Sequence, residues 1–365
     1  MTSRIRPYED SDTAAVADLW MRVFRGSDAP GPASLQACFR EMFLCHPWRG
    51  RGFDSLVCEQ EDAGIVGFLG VLPRPMRLEG QPIFAAASSQ FMIDRKRHRG
   101  LGGIELMKRF LAGPQELSFT DGASDAARRI WEALGGEALP SYGATWTRVL
   151  RPAAYFAGFW RERNGPRALC SFARFAGAPL DAAASRTGPY AVPAQPARGE
   201  ELDDERLLEC IAGLPAKYAL RPDYDRHSLC WLLGKAAAAA TRGELCRVLV
   251  RDASGEPAGW YVYYAKPGGV SKVLQIGGQE RTIGTVIAHL MRHAWERRSL
   301  AVGGRLEPRF ARQLSQSRCR FDFPDLSVLA HARNREILHI LQRGGAFLTR
   351  LDGEWWMRFH EEEWS

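Results

Sequence analysis

The sequence predicts an α/β (α+β) protein made of two mixed-sheet domains with flanking helices. Three observations carry that expectation. Short apolar runs of strand length alternate with amphipathic helical segments through both halves of the chain. Residues 84–110 pass from a strand through a basic, glycine-rich turn into a helix. The element order of the first half then returns in the second, with a period of roughly 180 residues. At 365 residues the chain is long enough for two cores of ordinary size.

Composition excludes several classes. Hydrophobic content of 45% and charged content of 25% are those of a globular chain. No run reaches the roughly 18 apolar residues of a spanning helix, and the opening MTSRIRPYEDSD has no apolar leader core, so the reading is cytoplasmic, with no membrane span. Eight cysteines contain no C-x-x-C pair, which argues for reduced thiols and against a zinc ribbon, so no metal is expected. Net charge is +7. The main basic cluster is the run from Arg95 to Arg99. Without interleaved aromatics it does not read as a nucleic-acid surface.

The first half reads in order as follows. A strand at Arg4–Pro7 precedes a helix at Thr13–Phe24 with Val16, Leu19, Trp20 and Val23 on one face. A second helix spans Ser34–Leu44. Strands at Ser55–Gln60 and Gly64–Val71 form a hairpin about an acidic turn. A strand at Phe84–Ile93 leads into the glycine turn and its helix. A strand at Leu117–Thr120 follows, then a helix at Ala126–Leu134 capped by Ser124 or Asp125 and stopped by Gly135-Gly136. An extended stretch at Ala144–Leu150 closes the set.

The stretch from Met92 to Phe110 is the centre of the functional argument. Glycines let the backbone approach a ligand, and the free N–H groups and dipole of a helix N-terminus favour an anion. The Walker pattern and the dinucleotide fingerprint are both absent. What is present is Arg97-His98-Arg99-Gly100-Leu101-Gly102, an R-x-x-G-x-G. This resembles motif A of the GCN5-related N-acetyltransferases, the GNAT superfamily. The later helix SDAARRIWEALGG resembles a second signature of that family, with Ser124 at its Asn position, Ala127 at its Ala and Trp131 at its Tyr. The resemblance covers about residues 3 to 150. It implies that Met92, Arg97, His98, Arg99, Gly100, Leu101, Gly102 and Gly103 hold the pyrophosphate of coenzyme A.

The departures from the family concern catalysis. Trp131 replaces the tyrosine that protonates the leaving thiolate in many members, and an indole N–H cannot do so. Trp131 therefore reads as a core aromatic. The strand before motif A lacks the family's glutamate and offers Ser88, Ser89 and Gln90. Asp121, at the end of the next strand, reads equally as a base or as a turn residue. The candidate catalytic set is Asp121, Ser124 and Gln90.

Residues 153–188 carry dense aromatics, among them Tyr155, Phe156, Phe172 and Phe175, and read as a helical connector or as the lining of an acyl groove. In the second half a strand and helix within Tyr190–Leu214, a hairpin at Arg247–Tyr264 and a helix at Ile283–Arg297 repeat the plan. HARNREILHILQRGG echoes SDAARRIWEALGG, and DGEWWMRF reads as a last strand. The turn GGQERTIG has lost R-x-x-G-x-G, so one cofactor per chain is expected. The expected organisation is 1–152, a GNAT domain binding acyl-CoA; 153–188, the connector; and 189–365, a degenerate GNAT-like domain shaping the acceptor site.

The resemblance implies an acyltransferase that moves an acyl group from acetyl-CoA or a longer acyl-CoA to a primary amine of a small molecule or peptide. A basic loop beside an apolar segment also suits a longer acyl group carried on an acidic acyl carrier protein, without requiring it. The missing tyrosine and glutamate leave open a non-catalytic CoA-sensing or scaffolding protein. The doubled plan is shared with Fem-type aminoacyl transferases.

Overall fold

The computed structural model of the chain describes residues 3–50, 52–98, 100–162, 177–192, 196–324 and 327–360. Two compact units emerge, and neither is continuous in sequence. One comprises Met1–Pro140, Lys217–Lys235 and Asp325–Ser365; the other comprises Ser141–Ala216 and Ala236–Pro324. The linear boundaries at 152 and 189 do not separate them, because three of the described strands lie in sheets other than those their sequence neighbours build.

The first unit holds a mixed sheet. β1 (Ser3–Pro7), β2 (Leu56–Gln60), β3 (Gly64–Leu78), β4 (Gln81–Ile93) and β5 (Leu117–Ala123) run across it in chain order. The next strand is β15 (Ser327–Ala332), then β6 (Glu137–Ala138). β9 (Leu220–Pro222) pairs with the far end of β3. Helices α1 (Thr13–Trp20) and α2 (Ala33–Phe43) cover one face, where Phe68 meets Phe39 and Phe43 edge-on at 5.4 and 5.3 Å. Helices α3 (Gly102–Leu111) and α4 (Asp125–Ala133) bury Leu106, Met107, Phe110 and Trp131 against the other face. Adjacent strand residues point to opposite faces, so Phe68 and Leu69 serve the two layers separately.

The second unit repeats this order. Across its sheet run β8 (Arg198–Glu201), β10 (Glu244–Arg251), β11 (Pro257–Ala265), β12 (Val270–Gly278), β13 (Ala301–Arg305), β7 (Thr145–Val149) and β14 (Arg320–Asp322). Each sheet's next-to-last strand thus comes from the far part of the chain. β7 pairs with β13 from Ala301↔Val149 to Arg305↔Thr145, and β15 pairs with β5 from Ser327↔Ala123 to Ala332↔Leu117.

This exchange corrects several expectations. Ala144–Leu150 does not close the first sheet. The helix in the second unit placed like α4, between β13 and β14, is the short Ala311–Gln316 (α6, after α5 at Ile283–Glu296). The helix Arg335–Gln342 (α7), expected in the second domain, belongs to the first unit and is capped by Asn334 through a 3.0 Å bond from Glu336 N–H. Asp352–Met357 is a series of turns and not a strand. The first helix also changes character. After Trp20 it widens into a π-helical turn, Met21–Arg25, ended by Gly26 at φ 63°. Of the aromatics expected in the connector, Phe172 and Phe175 lie outside the described residues.

A polar ladder crosses the core of the second unit. Tyr261 and Tyr263 of β11 bond His289 Nδ1 and His293 Nδ1 of α5 at 3.0 and 2.8 Å. Cys246 of β10 lies beside Tyr263, and Glu244, Glu296 and Arg297 complete the charged surroundings. Burial lowers both histidine pKa values. The unfolded chain therefore takes up protons first as pH falls through about 6.5, and the ladder's contribution, intact above that pH, is progressively lost. The gap in melting temperature between the wild type and a His289→Gln/His293→Gln chain is expected to narrow from pH 7.5 to 5. A constant gap would contradict this.

Candidate active site

The loop between β4 and α3 is tied down by Asp94. Its Oδ1 accepts the N–H groups of Lys96 and Arg97 at 3.1 and 3.2 Å, and its Oδ2 accepts Arg22 Nε at 2.9 Å. Burial alone would raise the Asp94 pKa, but the Arg22 pair and the loop N–H groups outweigh it and hold the carboxyl below its ordinary value. His98 lies beneath the loop. Its Nδ1 faces Gln60 Oε1 at 3.0 Å, and its Nε2 accepts Gly102 N–H at 3.1 Å.

The glycines are needed for that packing. A Cβ on Gly100 would lie 2.9 Å from the His98 ring, and one on Gly102 would lie 2.8 Å from its Nε2 and 2.9 Å from Cys58 Sγ. A Cβ on Gly103 would come within 3.1 Å of Ile93, where helix and strand approach. The intrahelical ladder begins with Glu105 N–H to Leu101 O at 3.0 Å. With Gly102 N–H given to His98, the amides of Gly103 and Ile104 are those left to the positive end of α3. In the second unit the corresponding turn is shorter, and Thr282 and Ile283 N–H both go to Gln279 O.

Beyond this loop β4 and β5 part. Their parallel pairing runs only from Ala85↔Leu117 to Ala87↔Phe119. β4 then bulges against β3, where Gln90 and Phe91 together oppose Leu69. Gln90 takes φ 50°, a left-handed conformation uncommon for a residue with a side chain. Its side-chain carbonyl accepts Trp20 Nε1–H at 3.0 Å.

The C-terminal turn enters this region. Glu354 N–H donates to Asp121 Oδ1 at 2.8 Å, and Thr120 Oγ1 donates to Glu354 Oε1 at 3.2 Å. Ser89 Oγ donates to Met357 Sδ at 3.6 Å, and Ser89 and the Gln90 backbone lie close enough to the Glu354 carboxyl to favour its ionised form. Burial, followed by the nearby charge of Asp121, pushes its pKa up to about 7. The turn has several supports. Arg74 Nε donates to Asp352 O at 2.8 Å, Tyr224 OH donates to the Asp352 carboxylate, and Thr349 N–H bonds the same carboxylate at 2.7 Å. Gly353 is required, because a Cβ there would overlap the Asp121 carboxylate.

Comparison with solved structures adds the frame for this geometry. The chain is similar to a conserved protein of unknown function from Enterococcus faecalis V583, described as a probable N-acyltransferase, with TM-score 0.57 and 14% identity over 91% of this chain and 73% of that one. A GCN5-related N-acetyltransferase from Anabaena variabilis ATCC 29413 matches with TM-score 0.57 and 12% identity over the same shares. Saccharomyces cerevisiae N-myristoyltransferase with bound myristoyl-CoA matches with TM-score 0.51 and 10% identity over 90% of this chain and 79% of that one. This is the GNAT fold. No family model matches the sequence, and no curated protein matches it.

Within the GNAT frame the candidate residues separate. Asp121 and Gln90 meet at Glu354. Ser124 instead caps α4, accepting Ala127 N–H at 3.4 Å. Trp131 is buried against Phe110. Around the loop, Arg97 is half-exposed and loosely paired with Asp28 and Asp94 at 3.6 and 3.7 Å, so its guanidinium can turn to an anion. The His98 side chain shapes the loop from below, and Met92 is buried, leaving only its backbone for a ligand. Arg99 lies outside the described residues.

Glu354 was not among the sequence candidates. The one signal was Asp352-Gly353, a turn dipeptide that speaks against a strand through DGEWWMRF. A cleft of about 230 Å³ opens elsewhere in this unit, among Arg6, Phe53, Asp54, Arg109 and Gln115. It holds neither the motif A amides nor Glu354, so the site is identified by its chemistry and not by cleft volume.

Proposed function

We propose that the chain is an N-acyltransferase that moves an acyl group from acyl-coenzyme A, acetyl or longer, to a primary amine of a small molecule or peptide. The observation that carries this reading is Glu354, a buried carboxyl with a pKa of about 7 at the parting of β4 and β5. A carboxylate poised near neutrality suits a general base. The amine nitrogen attacks the thioester carbonyl as its proton passes to Glu354. The C–S bond breaks, and the departing thiolate regains that proton. Arg97 and the Gly103 and Ile104 amides would hold the pyrophosphate.

The test is thermal denaturation with acetyl-, decanoyl- and free coenzyme A, followed by thiol release with an amine panel. A ligand at 100 times its Kd adds about 2.7 kcal/mol. Arg97→Ala, at a half-exposed and loosely paired side chain, should weaken that stabilisation while the chain stays folded. No stabilisation of the wild type by any of the three would overturn the reading. A CoA-sensing or scaffolding protein is the second reading, favoured because residues 352–357 already occupy the end of the sheet where β4 and β5 part. Binding without thiol release would select it.

A further inference from the structure

Resting on the acyl-transfer reading, we propose that the same loop also takes the donor thioester from the 4′-phosphopantetheine arm of an acidic carrier protein, docked on the rim of the motif A loop. The arm's phosphate needs only the Gly103 and Ile104 amides and Arg97. The surface around them exceeds that need. Arg95 and Lys96 project from the turn with no ion-pair partner among the described residues. Leu101, at the tip between these cations and the helix, is 66% exposed. Phe24, on the adjoining π-helical turn, is 47% exposed. Arg22–Asp94 and Arg97–Asp28 tie that turn and the following loop to the motif A loop.

Leu101, held in water on one loop with two cations that have no ion-pair partner among the described residues, suits a protein interface. The partner's chemistry follows from the charges: a negative surface with an apolar centre, surrounding a phosphodiester-linked thioester arm. Such docking is steered by charge and weakens with salt.

The experiment measures binding of three decanoyl thioesters to the full chain: on an acyl carrier protein of the fatty-acid synthase type, on coenzyme A, and on free phosphopantetheine. The carrier-bound form is expected to bind at least tenfold more tightly than the free arm at low salt, with that advantage gone at 0.5 M NaCl. Arg95→Glu/Lys96→Glu should remove the advantage and leave binding of the free phosphopantetheine thioester unchanged. The proposal is overturned if the carrier gives no advantage, or if the double variant weakens both forms equally. It also falls if phosphatidylglycerol vesicles, and not the carrier, bind in a way that the double variant abolishes. If none of the three thioesters binds, the acyl-transfer reading itself fails.

Discussion

Glu354→Gln is expected to lower thiol release by 10²- to 10⁴-fold, the range of a positioned proton acceptor. Gln keeps the shape of the side chain and an oxygen for the Thr120 hydroxyl, so coenzyme A binding should persist. Stability should move the other way. The folded pKa of Glu354 stands at about 7, above its ordinary 4.5. Its contribution is therefore fully present below pH 4.5 and is lost as pH rises through 7, where burial of the ionised form begins to cost. Gln does not ionise. At pH 8 the variant should melt no lower than the wild type, and the difference between them should grow in its favour from pH 5 to pH 8.

The pH–rate profile gives an independent check. Wild-type activity should rise through an apparent pKa near 7. Asp121→Asn retains an oxygen for the Glu354 N–H but removes the charge that helps raise the carboxyl, so the limb should shift to lower pH. An unchanged limb in Asp121→Asn, or full activity in Glu354→Gln, would remove Glu354 from the base role.

A fragment ending at Pro152 is expected not to fold. It carries the motif A loop and most of the first sheet, yet it lacks β15, α7 and the C-terminal turns. β5 would lose its partner from Leu117 to Ala123, and β6 would have nothing to pair with. Leu329, Ile337, Leu341, Phe347 and Phe359, all fully or nearly fully buried, would also be missing. At about 2 kcal/mol for each such side chain the loss is about 10 kcal/mol. That is comparable with the whole stability of an ordinary domain, about 5–15 kcal/mol. β7 would meanwhile be left as an unpaired strand, an aggregation hazard. Soluble yield and far-UV circular dichroism test this. A soluble 1–152 fragment with a cooperative melt would show that the exchanged strand is dispensable.

What the sequence by itself determined was local. The strand, glycine loop and helix of motif A, the Ser124 cap and the hairpins in each half are written in residues a few positions apart, where turn conformation and capping bonds act. The glycines at 100 and 102 were legible as a requirement for close approach, although only the structure shows that what approaches is the His98 ring from within. Fold class was legible for the same reason, since hydrophobic period and element order are local properties repeated along the chain.

The tertiary structure decided what depends on long-range pairing. Which sheet accepts β7 or β15 turns on partners more than 150 residues away, and the alternation of apolar residues in a strand is the same whichever sheet receives it. The exchange carries the C-terminal segment into the first unit and brings Glu354 to Asp121, 233 positions distant. The pKa of Glu354 arises there, from burial and from the charge of Asp121, and neither exists until the turn is seated.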